Sequence, residues 1–248
     1  MKRASLNHSF RLVWSTRCGG LMAVAETTRS RGKGAAIGLS TALLMSGLPL
    51  VSQAALPTGG SVEAGSGSIS QNGNAMTINQ GSDRLAINWN SFSIGAGNSV
   101  TFNQPNSSSV ALNRVLGSEV SVIQGALNAN GQVFLVNPNG VLFSPTAQVN
   151  VGSIVASTLN ISAADFMAGN YRFEGHSSNA IINQGNIQAA NGGSIALIAA
   201  QIINTGNLTA NGGNVLLGAG SRVTLDLGGP VKLDVEEAAI DALIEQGG

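Results

Sequence analysis

The feature that most limits what this chain can fold into is a repeat of about 20 residues, written in alternating apolar and polar positions. Asn183-x-Gly185-x-Ile187-x-Ala189 runs on to Gly192-Gly193-x-Ile195-x-Leu197, and Asn204-x-Gly206-x-Leu208-x-Ala210 runs on to Gly212-Gly213-x-Val215-x-Leu217. The two Asn-x-Gly signals lie 21 residues apart and the two Gly-Gly pairs 20. Gly125-x-Leu127-x-Ala129-x-Gly131-x-Val133-x-Leu135 has the same grammar further upstream. A period of two is that of a β-strand, and a near-constant spacing of strand groups marks a solenoid. The reading is a parallel β-helix. Inward Ala, Val, Leu and Ile stack on their equivalents one coil away, and Gly and Asn take the bends where φ > 0 is required. A β-sandwich shares the alternation, but the fixed period favours the helix.

Composition agrees with an all-β chain. Only 10% of residues are charged and 4% aromatic, 43% are hydrophobic, and 33 are glycine. A disordered chain is more charged, and a helical bundle needs a Leu/Glu/Lys-rich mix. The net charge of zero conceals a segregation: residues 1–54 hold seven basic residues and one acidic, leaving five basic and eleven acidic beyond. So acidic a remainder offers no basic patch and excludes a nucleic-acid partner. Cys18, the one cysteine, lies in the basic stretch, so nothing after it can form a disulfide.

Residues 1–54 read as an address. Ala35 to Val51 is an uncharged apolar run behind the basic segment, and Ser52-Gln53-Ala54 puts small residues at both key positions of a cut after Ala54. A membrane anchor is the rival, but the run is short, contains Pro49 and precedes a cleavage pattern. The 194 residues left when 54 are taken from 248 suggest up to about nine coils and a rod of roughly 40 Å. Leu56 to about Val120 is less periodic, and its Trp89, Phe92 and Phe102 are candidates for capping the first coil. At the other end Asp234, Glu237 and Gly247 carry N-cap, capping-box and stop signals, which predict a short C-terminal helix over Asp234–Gly248 with Glu236 and Glu237 at its dipole. That helix would lie on the last coil or form an inserted loop of a longer product.

Chemistry is sparse. His176 is the only histidine after residue 54, so no His-based metal cluster or ready triad can be assembled. There is no G-x-S-x-G elbow, and five scattered basic residues do not make the charged face of a glycan-active β-helix. The expectation is no enzyme, no metal and no cofactor.

The residues also carry a resemblance. Phe10-Arg11-Leu12-Val13-Trp14-Ser15 and Met22-Ala23-Val24-Ala25-Glu26 resemble the extended signal peptide region of two-partner secretion exoproteins and autotransporters. Leu56-Pro57-Thr58-Gly59-Gly60, Ile87-Asn88-Trp89-Asn90-Ser91-Phe92, Val110-Ala111-Leu112-Asn113-Arg114, Gly131-Gln132-Val133-Phe134-Leu135-Val136-Asn137-Pro138-Asn139-Gly140 and Val151-Gly152-Ser153-Ile154-Val155-Ala156-Ser157 are similar to the two-partner secretion, or haemagglutination activity, domain of filamentous haemagglutinin and high-molecular-weight adhesin-like exoproteins. The resemblance implies domains at 1–54 (extended signal peptide) and 55–248 (secretion domain), and a right-handed parallel β-helix with an N-terminal cap. Its implied partners are the general export machinery, an outer-membrane β-barrel transporter with POTRA domains and, for a longer adhesin, a host-cell surface. The implied location is the cell surface or the medium of a Gram-negative cell, reached through the periplasm.

Asn137-Pro138-Asn139-Gly140 matches the family's NPNG motif, to which the resemblance assigns a role in secretion. From the residues alone it is a tight turn, with Pro preset at the second position. Structural turn and transporter contact both remain open. The family's NPNL motif is replaced by Gln104-Pro105-Asn106-Ser107, a form of the adhesin-like branch, which leaves Pro105 and Asn106 as a possible second secretion motif. A self-sufficient short adhesin is the alternative function, and a glycan-active enzyme a further one.

Overall fold

The computed structural model describes residues 10–15, 20–25, 56–227, 231–237 and 242–247. Within the N-terminal unit, Phe10–Ser15 and Gly20–Ala25 pair antiparallel, with Phe10 opposite Ala25 and Ser15 opposite Gly20. Cys18, the apolar run and the cleavage position at Ala54 lie outside the described residues.

The larger unit is a parallel β-helix. Its first sheet stacks Gly67–Asn72, Ala75–Gln80, Ser99–Asn103, Ala126–Ala129, Gln148–Val151, Asn186–Ala189 and Asn207–Ala210. The second stacks Ser61–Ala64, Arg84–Trp89, Val110–Val115, Gln132–Val136, Ser153–Ser157, Ile195–Ala199 and Val215–Ala219. In both, the outermost of seven strands is antiparallel and the other six are parallel, which gives six coils. A third, five-stranded sheet joins Ser121–Ile123, Val141–Phe143, Ala180–Asn183, Gln201–Asn204 and Leu243–Gln246.

Register explains the alternation. Met76, Val100, Leu127, Val149, Ile187 and Leu208 are successive partners along the first sheet, all facing inward. Leu85, Ala111, Val133, Ile154 and Ile195 form the matching column of the second. Each coil therefore rests its apolar residues on those of its neighbours, about 4.8 Å away. The second glycines of the repeated pairs sit where coils approach most closely. A Cβ on Gly193 would overlap the Gly152 carbonyl, and one on Gly213 the Gly193 carbonyl.

Three expectations are revised. First, the solenoid has six of the up to about nine coils that its length allows, because extra chain leaves it twice. The first excursion separates Ser153 from its neighbour Ser194 by 41 residues. Second, Trp89, Phe92 and Phe102 do not cover an end: each is at most 1% exposed inside the core, and Trp89 Nε1 donates to Asn113 Oδ1 at 3.0 Å. The capping is done by backbone, through the antiparallel strands Ser61–Ala64 and Gly67–Asn72 that occupy the first edges of two sheets.

Third, the described residues of the C-terminal stretch form strands where a helix was expected. Lys232–Glu237 and Leu243–Gln246 are strands. The first pairs antiparallel with Arg222–Asp226, placing Leu233 opposite Leu225 and Val235 opposite Val223. Cross-strand partners outweigh local capping signals, since helix propensity is a weak prior. Glu236 and Glu237 consequently meet Arg172 and Arg222 at 3.6 and 3.2 Å instead of a helix dipole.

The two excursions build a layer outside the solenoid. The helix Ala163–Ala168, N-capped by Ser162 and ended by Gly169 at φ 82°, precedes Arg172–Glu174. That strand adds to Arg222–Asp226 and Lys232–Glu237 as a three-stranded sheet. The layer covers the outward column Ala86, Leu112, Phe134, Val155 and Ala196 with Ile161, Phe166, Tyr171, Phe173, Val223 and Leu225. The Phe134 ring lies 5.1 to 6.2 Å from those of Tyr171, Phe166 and Phe173. Strands of the second sheet are thus buried on both faces, which is why Val133–Val136 and Ile195–Ala199 are continuous apolar runs.

Candidate functional site

Asn137–Gly140 turns the chain from the second sheet into the third. Gly140 N donates to Asn137 O at 3.0 Å, closing the β-turn, and Gly140 has φ 110°, a conformation a side chain would strain. The turn is also the hub of a corner that ties three coils together. Asn137, fully buried, donates from Nδ2 to Glu119 O and Ser121 Oγ, both at 2.9 Å. Its Oδ1 accepts from Asn139 N at 2.9 Å and from Asn139 Nδ2 at 3.0 Å. Asn139 Nδ2 reaches Gly117 O at 2.8 Å. The bonds to Gly117, Glu119 and Ser121 face the preceding coil.

Toward the following coil, Pro138 O accepts from Ser177 Oγ and from Asn179 Nδ2, the latter at 2.9 Å. Asn137 N adds a bond to Ser157 O at 2.9 Å. Pro138 and Asn139 are half-buried, so the polar atoms of the motif are largely spent within the protein. Beside them the preceding coil leaves Leu116 and Val120 exposed, at 62% and 46%.

Pro105 and Asn106 stand at a different corner, between the first and second sheets, and are exposed. Gln104, only 6% exposed, donates from Nε2 to Gln80 Oε1 at 3.0 Å, to Ser109 O at 3.0 Å and to Gln132 O at 3.2 Å. Asn106 Oδ1 accepts from Ser108 N at 2.9 Å and from Ser108 Oγ at 2.6 Å, and its Nδ2 donates to Asp83 Oδ1 at 3.3 Å. The structure does not bring the two motifs together. Each organises its own corner.

Sequence reasoning missed the partners Gly117, Glu119, Ser121, Ser177 and Asn179. The first three lie 16 to 22 residues before their bonding partners, so stepping back one period from the motif finds them. Ser177 and Asn179 lie 39 and 41 residues from Pro138, across the excursion, and no short-range signal points to them. Among the described residues no group of three or more His, Cys, Asp or Glu is placed to hold a metal ion.

A capped parallel β-helix with hydrogen-bonded corner turns, behind a basic and apolar leader, defines an exported solenoid module. The chain belongs to the TPS secretion domain family, whose model matches residues 53–247; the extended signal peptide of type V secretion systems matches residues 7–55. It is 35% identical over 208 residues to a heme/hemopexin-binding protein of Haemophilus influenzae, covering 78% of this chain and 22% of that protein. A second Haemophilus influenzae protein of the same name is 47% identical over 98 residues, covering 40% of this chain and 11% of that protein. The fold matches the crystal structure of the HMW1 secretion domain from Haemophilus influenzae with a TM-score of 0.69 at 31% identity, over 77% of this chain and 54% of that one. The chain therefore spans about a fifth or less of the length of these curated relatives. It is a two-partner secretion domain of an exoprotein that leaves a Gram-negative cell by way of the periplasm, and its system includes a partner transporter in the outer membrane.

Proposed function

We propose that Asn137–Gly140 serves secretion as a folding clamp that locks its own coil, once emerged, to the one before it. The observation that carries this is the complete burial of Asn137, with two donated and two accepted side-chain hydrogen bonds inside the protein. A side chain so enclosed offers little to a partner once the coil has closed. Its contribution is to release: a coil that closes outside the cell cannot slip back. The antiparallel strands at Ser61–Ala64 and Gly67–Asn72 give the first coil a finished edge, and later coils add by nearest-neighbour contact. In this reading residues 1–54 are the extended signal region, cut after Ala54, and residues 55–248 are the secretion domain. The transporter engages the chain through periplasmic POTRA domains before it folds, and the domain performs no catalysis of its own. Host-cell binding belongs to the longer exoprotein.

The test compares release and refolding in one variant, Asn137→Ala with Asn139→Ala. Joint loss of transporter-dependent release and of refolding in vitro is expected. Loss of release from a variant that refolds as the parent does would overturn the clamp and make the motif a recognition element.

A further inference from the structure

The outer faces of the three solenoid sheets differ in chemistry. The outward column of the first sheet, Thr77, Thr101, Asn128, Asn150, Gln188 and Thr209, is polar, as a solvated face requires. That of the second is apolar and lies under the outer layer. The third sheet breaks the pattern. Its outward column is Val122, Leu142, Ile182 and Ile203, in-register partners on four neighbouring strands. Their inward neighbours Ile123, Val141, Ile181 and Ile202 are buried, whereas all four outward side chains are half-buried and belong to neither hydrophobic core. The outer layer therefore does for the second sheet what no described element does for the third.

A second column runs beside the first, two residues earlier on each strand: Val120, Gly140, Ala180 and Gln201. Its start is fixed by the Asn137 corner, since Asn137 Nδ2 bonds Glu119 O and Ser121 Oγ on either side of the exposed Val120. Gly140 and Ala180 carry nothing larger than a methyl, so a trough lies next to the ridge made by Leu142 and Ile182. Neither column contains a charged residue until the last strand, where Glu245 is the partner of Ile203.

A contiguous apolar column left open on a sheet marks an interaction site. We infer that this face of the third sheet is an interface with a second copy of the chain. A copy turned about a two-fold axis parallel to the solenoid lays each ridge over the other's trough, Leu142 against the partner copy's Gly140 and Ile182 against its Ala180. Such mutual contact of one patch with itself is what a two-fold interface demands. The coils match one to one, and both solenoids point the same way. Electrostatics favours this face as well. Beyond residue 54 acidic residues outnumber basic ones eleven to five, so two copies repel unless they meet where neither carries charge. Four strands about 4.8 Å apart and two columns make a contact smaller than the ~1,200 Å² that stable complexes bury. The pair is accordingly weak and forms where the chain is concentrated.

Sedimentation equilibrium of the folded full chain, from about 10 µM to about 1 mM, should show a monomer–dimer equilibrium that strengthens with added salt as the repulsion is screened. Leu142→Glu sets a charge into each half of the contact and should weaken the dimer at least about tenfold, the value of burying a leucine side chain, with an unchanged urea midpoint for the monomer. Should that variant fail to fold, Leu142→Thr with Ile182→Thr takes its place, threonine being at home on a strand. The arrangement is read by crosslinking with a short bismaleimide in a Cys18→Ser background. Val122→Cys and Ile203→Cys chains should each crosslink to themselves, and mixing them should give little mixed product. A chain that stays monomeric throughout, or dimers that the outward substitutions leave untouched, would overturn the interface; a predominance of the mixed product would overturn the parallel arrangement.

Discussion

Replacing Asn137 by alanine tests the clamp where its energetics are clearest. The substitution removes the bonds from Nδ2 to Glu119 O and Ser121 Oγ and the acceptor for Asn139 N and Nδ2. Ser121 is itself fully buried, so its hydroxyl loses a partner that water cannot readily replace. The two donated bonds are worth about 1 kcal/mol each, and the penalty for the stranded groups adds about 1 kcal/mol more. The expected cost is about 3 kcal/mol, a factor of about 100 in the folding equilibrium, against the ~5–15 kcal/mol that a domain has in total. Asn139→Ala, at a half-buried position where water can take over, should cost about 1 kcal/mol. Urea unfolding of the full chain, followed by circular dichroism, measures both. A change under about 0.5 kcal/mol for Asn137→Ala, well below one ordinary hydrogen bond, or a larger loss for Asn139→Ala, would refute the reasoning.

Phe134→Ala opens the space between the second sheet and the outer layer and should cost about 3–5 kcal/mol, read as a lowered urea midpoint with early proteolysis near Tyr171. Gly193→Ala drives a Cβ into the Gly152 carbonyl and should destabilise by about 1–3 kcal/mol, whereas Gly73→Ala meets no atom within 4 Å and is penalised only by its φ of 59°; thermal denaturation ranks the two. Asn204→Ala deprives the buried Asn183 Nδ2 of its 2.7 Å partner and should cost about 1–3 kcal/mol, visible in the same assay. Arg222→Ala removes exposed ion pairs to Glu174 and Glu237 and should change stability by less than about 1 kcal/mol.

The solenoid was legible because its physics is local and periodic. Leu127, Val133, Ile187 and Ile195 are inward in the structure as the alternation requires, and the Gly192-Gly193 and Gly212-Gly213 pairs mark one corner on successive coils. The outer layer was not legible, since its strands come from two excursions and find each other only in space. The Asp234–Gly248 helix failed for the same reason: Leu233 and Val235 have cross-strand partners that no local window contains. The helix that does form carries the same kind of signal at Ser162, Asp165 and Gly169. At the candidate site, the turn at Asn137–Gly140 could be read from its residues. Its role as hub of three coils could not, because Ser177 and Asn179 reach it only across the first excursion.

The central claim is transporter-dependent release of a domain that folds outside the cell. The most direct test expresses the full chain with and without a cognate two-partner transporter and compares the medium with the periplasm. Folded, protease-resistant protein should reach the medium only when the transporter is present. Retention in the periplasm beside a transporter that demonstrably exports another substrate, or equal release without one, would contradict the account.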